Sequence, residues 1–169
     1  MDRRREQQRA VVEALRRLAR RPRTEAEVRG QLERLEFDAT LVDGAVDDLR
    51  RDGQLDDAAL ALHWIVVRAR RLGHGPRRLR DELVARGVDQ DVVARAWDRA
   101  VRDGELDPGE LVAAAVRKRI GAAKGRDVRV MRRVYNALLR AGFEPDAVRA
   151  ELDAQLPPSD EGGGDDDLE

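Results

Sequence analysis

A chain of 169 residues can bury a substantial core, either as one domain or as a few small units in series. It contains no cysteine, which excludes disulfides and thiolate metal sites. Its apolar stretches are short and broken by charge, so none suits a bilayer span, and the N-terminus lacks the apolar run of a secretory leader. Asp, Glu, Lys and Arg make up 40% of the residues yet nearly cancel, to a net charge of −1, and the expected location is the cytoplasm.

The cancellation hides segregation. Residues 1–23 hold nine Arg against three acids, residues 62–80 hold six Arg against none, and residues 115–133 hold eight basic residues against Asp127 alone. Acidic windows at residues 43–61 and 89–114 lie between them, each with a net charge of −4. This alternation follows from an internal repeat. Shifted by 51 residues, FDATLVDGAVDDLRRDGQLDD (37–57) lies over VDQDVVARAWDRAVRDGELDP (88–108), and a further shift of 55 brings GVDQDVVARAW (87–97) onto GFEPDAVRAEL (142–152).

Each unit reads as three helices, and the chain is expected to be all-α, a tandem array of three-helix units at 1–53, 54–104 and 105–156. The first helix is expected over 4–20. Thr24 with Glu27 forms a capping-box pattern that starts the second, over 25–35, with Val28 and Leu32 on its apolar stripe. Asp38 caps a third over 39–51, with Phe37 placed to pack on Val42. Asp56 opens a helix over 57–72, and the Gly73-His74-Gly75-Pro76 break separates it from one over 76–86. Asp89 opens 90–102, and Asp107 with Pro108 opens 108–123. The last two helices fall over 127–141 and 145–155, with Pro145 at a first helical position. Gly87 and Gly142 sit where a helix turns off in a left-handed conformation. Residues 157–169, PPSDEGGGDDDLE, read as a disordered acidic tail.

Little suggests catalysis. His63 and His74 are the only histidines, and no arrangement points to a metal, a nucleophile or a nucleotide loop, so neither cofactor nor metal is expected. The five aromatics, Phe37, Trp64, Trp97, Tyr135 and Phe143, fall at helical spacing on apolar faces and read as core anchors. The basic windows carry more information. Arg77 and Arg78 occupy a first helical turn, where the macrodipole disfavours cations and a bound anion would compensate; pairing with Asp81 and Glu82 at i,i+4 fits the spacing equally well. Arg68, Arg70 and Arg71 have no acid at helical spacing after them, which favours an external partner.

Residues 20–57, which contain Arg21-x-Arg23-Thr24-x-x-Glu27-Val28 and Leu55-Asp56-Asp57, together with residues 73–93, which contain Gly73-x-Gly75-Pro76-x-Arg78-Leu79-x-x-Glu82-Leu83-x-x-Arg86-Gly87-Val88, resemble the RecX regulatory proteins. The resemblance spans about residues 14–155. It departs from the family pattern at Glu36, where glycine is usual, and at Ala59-Leu60-Ala61, where Arg-Phe-Ala is usual. It implies an all-helical monomer that binds the RecA recombinase filament on single-stranded DNA, inhibits its ATPase, strand-exchange and coprotease activities in DNA repair and the SOS response, and performs no chemistry itself. Arg68, Arg71, Arg77, Arg78 and Arg80 are the expected contacts to filament or DNA. Two other readings fit the residues alone: a helical nucleic-acid-binding protein acting without recombinase, and an interaction scaffold whose arginines only solvate it.

Overall fold

The structure, a computed structural model, describes residues 3–155. Among these residues the chain forms nine helices and no strand: α1 (Arg3–Leu18), α2 (Glu25–Arg34), α3 (Ala39–Arg51), α4 (Asp57–Leu72), α5 (Pro76–Ala85), α6 (Gln90–Arg102), α7 (Pro108–Ala122), α8 (Val128–Arg140) and α9 (Pro145–Gln155). Most ends agree with the sequence to within a residue. The acidic segment expected to be disordered lies outside the described residues.

Local chemistry sets these boundaries. The Thr24 hydroxyl accepts from the Glu27 amide while the Glu27 carboxylate accepts from the Thr24 amide, so the capping box closes in both directions. The side chains of Asp38, Asp56, Asp89 and Asp107 each accept from a first-turn amide of the helix they precede. Asp127 does the same for α8, accepting from Val130 N at 2.8 Å, so this helix starts one residue later than the spacing predicts. α1 stops two residues early at Leu18, and Pro22 disfavours helical geometry at Arg21, so the chain does not return to helix before α2.

Three clusters of buried side chains form the core. One is drawn from α1–α3 and Leu55, the next from α4–α6 with Val88 and Leu106, and the third from α7–α9 with Ala141 and Phe143. The repeat register explains their shared shape. Leu32, Leu83 and Leu138 are equivalent and fully buried, and the register extends into the first helix of each unit, where Ala10, Ala61 and Val116 are fully buried. Each such leucine contributes about 1.5–3 kcal/mol by leaving water. Within each unit the first helix packs most extensively on the third, α1 on α3, α4 on α6 and α7 on α9.

Candidate interaction surface

The middle basic block is organised around one carboxylate. Glu82, on α5, accepts from the indole N–H of Trp64 at 3.2 Å and from Arg78 Nε at 3.0 Å, and it lies 3.5 Å from the Arg68 guanidinium. Burial pushes its carboxyl up, but the hydrogen bonds from Arg78 and Trp64 and the charges nearby outweigh this and hold it below its ordinary value. Trp64 holds two cation–π contacts: the Arg68 guanidinium carbon is 3.7 Å from a ring centroid and that of Arg86 is 4.6 Å away. The indole is therefore a half-buried stacking partner for two internal arginines as well as a packing anchor. His74 is buried, with Nδ1 3.3 Å from Glu82 Oε1 but without a hydrogen bond. Desolvation and the neighbouring Arg78 and Arg68 push its pKa below the ordinary value, against the pull of Glu82.

The expected contact arginines thus divide. Arg68 and Arg78 meet on Glu82. Arg77 and Arg80 are exposed and line a cavity of about 210 Å³ whose wall includes Ile65, Leu79 and Trp97. The Arg77 guanidinium donates to the Leu139 carbonyl at 3.3 Å, rather than pairing with Asp81, and Arg80 lies 3.8 Å from Asp81. Arg71 is exposed on the last turn of α4 and makes no ion pair or hydrogen bond among the described residues. Helical spacing cannot reveal acids on other elements, and two arginines without a partner by spacing have one here: Arg68 reaches Glu82 on α5, and Arg70 reaches Glu105 beyond α6 at 3.2 Å.

Two unit junctions flank this block, and they are built alike. At the first, the Thr24 hydroxyl donates to the Arg86 carbonyl at 2.7 Å, and Arg86 forms a two-pronged pair with Glu27, Nε to Oε1 at 2.9 Å and a terminal nitrogen to Oε2 at 3.0 Å. The Arg86 fork holds the Glu27 carboxyl below its ordinary value. The Glu25 amide donates to Asp57, whose carboxyl burial pushes up. At the second junction Gly75 N donates to the Ala141 carbonyl at 2.7 Å and Arg77 N to the Gly142 carbonyl at 3.1 Å. Gly75 is the repeat equivalent of Thr24 and Ala141 that of Arg86. In both cases the residue preceding the second helix of one unit donates to the same carbonyl of the next.

The third basic block differs. Arg119, Lys124 and Arg133 rim a groove of about 490 Å³ between the end of α7 and α8, floored by Ala122, Val130 and Val134. None of the three, nor Arg126, Arg129 or Arg132, makes an ion pair or hydrogen bond among the described residues, whereas Arg117 is paired with Glu110.

Comparison with known proteins places this architecture. Residues 10–49 match the family model described as RecX, first three-helix domain, and residues 56–96 that of RecX, second three-helix domain. The chain is 35% identical over 164 residues to Regulatory protein RecX of Corynebacterium efficiens, covering 92% of this chain and 78% of the relative. The chain belongs to the RecX family. A RecX of Thermobifida fusca is 36% identical over 87% of this chain and 80% of its own. The crystal structure of RecX from Lactobacillus salivarius superposes with a TM-score of 0.77 at 18% identity, over 88% of this chain and 96% of that one, which shows the shared fold.

The sequence pattern that resembles RecX acquires structural roles in this chain. Thr24, Glu27 and Arg86 form the first junction, Leu55 is buried in the first core, Asp56 caps α4 and Asp57 receives an α2 amide. Gly75 allows the second junction to close, since a Cβ there would overlap the Gly142 backbone. Glu82 and Trp64, not among the expected contact residues, organise the middle block; the cue in the sequence was the Arg78–Glu82 spacing.

Proposed function

We propose that this chain binds the RecA recombinase filament on single-stranded DNA and restrains its ATP hydrolysis, strand exchange and coprotease activity, in DNA repair and the SOS response, without performing chemistry itself. The observation that carries this reading is family membership across 92% of the chain. The geometry supports it in two ways. A tandem of three units, at 1–53, 54–104 and 105–156, joined by hydrogen-bonded junctions suits an extended helical partner better than a small ligand. Arg71, Arg77 and Arg80 are exposed guanidiniums available to carboxylates or phosphates. Arg68 and Arg78, engaged by Glu82, contribute by fixing that surface. The test is the DNA-dependent ATPase of a cognate RecA, with and without the chain, alongside binding to preformed filaments. Inhibition that saturates with bound chain is expected; no binding and no inhibition would overturn the proposal.

A further inference from the structure

We propose that the acidic C-terminal segment, residues 160–169, docks on the basic groove between α7 and α8 and occupies it in the free protein. The groove is a part of the described surface where cations are clustered and left without internal partners, and it is the one that lies on the unit from which the acidic segment leaves. Arg119, Lys124 and Arg133 converge on its rim, no carboxylate lines it, and Arg126, Arg129 and Arg132 stand unpaired on the same unit. The middle block is different, because Glu82 and Glu105 already neutralise much of it.

The charge that complements the groove is carried by the same chain. Residues 160–169 contain six acids and no basic residue, so residues 1–159 carry +5 and the whole chain −1. The acids also start from the right place. Gln155, at the end of α9, donates to the Ala113 carbonyl on α7 at 3.1 Å, which anchors the start of the segment to the helix that bears Arg119. Ala113 and the rim residues Arg119 to Ala122 are separated by about 9–14 Å along the helix axis at about 1.5 Å per residue. The five residues 156–160 span up to about 17 Å when extended, which brings Asp160 to the rim and leaves the later acids free to follow the groove. Tethering raises the local concentration of the segment to the millimolar range, which favours a contact built from several individually weak exposed pairs.

Because the chain has no cysteine, Gly163→Cys gives a single attachment point for a nitroxide on the full-length protein. Amide resonances of the α7 end and of α8, from Arg119 to Ala137, should lose more than half their intensity through paramagnetic broadening, while those of α1 to α3 keep theirs. The loss should vanish in Arg119→Glu/Lys124→Glu/Arg133→Glu, whose sites are all exposed, and on raising salt to about 1 M, where the screening length is about 3 Å. Broadening that is absent, spread evenly over the chain, or unchanged by both treatments would overturn the proposal. Groove resonances that move only when an oligo(dT) strand is added, with no prior broadening, would assign the groove to nucleic acid and equally overturn it. These readouts need no recombinase, so their failure is distinct from failure of the filament assay.

Discussion

Glu36 is the only non-glycine among the described residues with a positive φ, at 62°. Its repeat equivalents are Gly87 and Gly142, with φ of 84° and 93°. At those two positions conformation and space act together. A Cβ on Gly87 would overlap Ala26 on α2, and one on Gly142 would overlap Arg78 on α5, because each glycine is where one unit presses on the unit before it. Glu36 is exposed, and no upstream unit of the described chain approaches it, so only the conformational penalty applies. Glu36→Gly should stabilise the fold by about 0.5–1 kcal/mol, the left-handed penalty of about 1–2 kcal/mol less the extra unfolded-chain entropy that glycine adds. In thermal unfolding this is a rise of about 1–4 °C. Gly142→Ala should go the other way by more than about 2 kcal/mol, since strain and overlap add. The left-handed glycines were legible in the sequence because helix termination is local. The tolerance of glutamate at 36 was not, because it depends on which units touch.

At the scale of elements, α4 and α5 are held together by the Trp64, His74 and Glu82 cluster, and its protonation chemistry has a definite sign. His74 has a pKa below its ordinary 6.5, so the folded chain binds its proton less readily than the unfolded chain does. The stability from neutral His74 is therefore complete above pH 6.5 and is lost as pH falls through 6.5 towards the lowered value. Glu82 and Glu27, both held below their ordinary 4.5, add a second loss beneath that pH. Asp57, pushed up by burial, opposes this second loss. Calorimetry from about pH 7.5 downward should show both steps, and His74→Gln should remove the upper one alone. A melting temperature flat between about pH 7 and about pH 5.5 in the parent chain would contradict this account. The helices themselves were readable from caps and periodicity, since those signals lie within one element. The cluster was only partly readable: Arg78 and Glu82 sit at i,i+4, whereas the approach of Trp64, Arg68 and His74 requires knowing how α4 folds back on α5.

The same contrast separates the two engaged junctions when the molecule is taken as a whole. The first rests on a charged fork and the second on two backbone hydrogen bonds with one exposed side-chain bond from Arg77 to the Leu139 carbonyl, so side-chain substitution tests only the first cleanly. Arg86→Ala removes the pair with Glu27, the bond to the Pro22 carbonyl and a cation–π contact with Trp64, all from a side chain only 15% exposed. It should cost about 2–3 kcal/mol. A double-mutant cycle with Glu27→Gln should return a coupling of about 1–2 kcal/mol, and exchange of the α2 amides should accelerate more than that of α8. Equal acceleration in both helices would mean that the fork stabilises the chain globally and does not tie one unit to the next.

Engagement also decides which arginines can serve an external partner. Reversing Arg68 or Arg78 would place a carboxylate beside Glu82 in a partly buried cluster, so lost filament binding in those variants would be inseparable from lost stability. Arg71 and Arg80 carry no comparable internal duty, and Arg77 would lose only its exposed 3.3 Å bond to the Leu139 carbonyl while keeping its backbone hydrogen bond to Gly142. The triple reversal Arg71→Glu/Arg77→Glu/Arg80→Glu should therefore leave the melting temperature nearly unchanged. If each exposed contact to the filament is worth about 0.5–1 kcal/mol, binding should weaken by about tenfold to about a hundredfold and its salt dependence should flatten. Filament affinity measured by anisotropy at two salt concentrations reads both effects. Unchanged affinity in a fully folded triple variant would remove this face from the interface and leave the third unit as the cationic surface to test next.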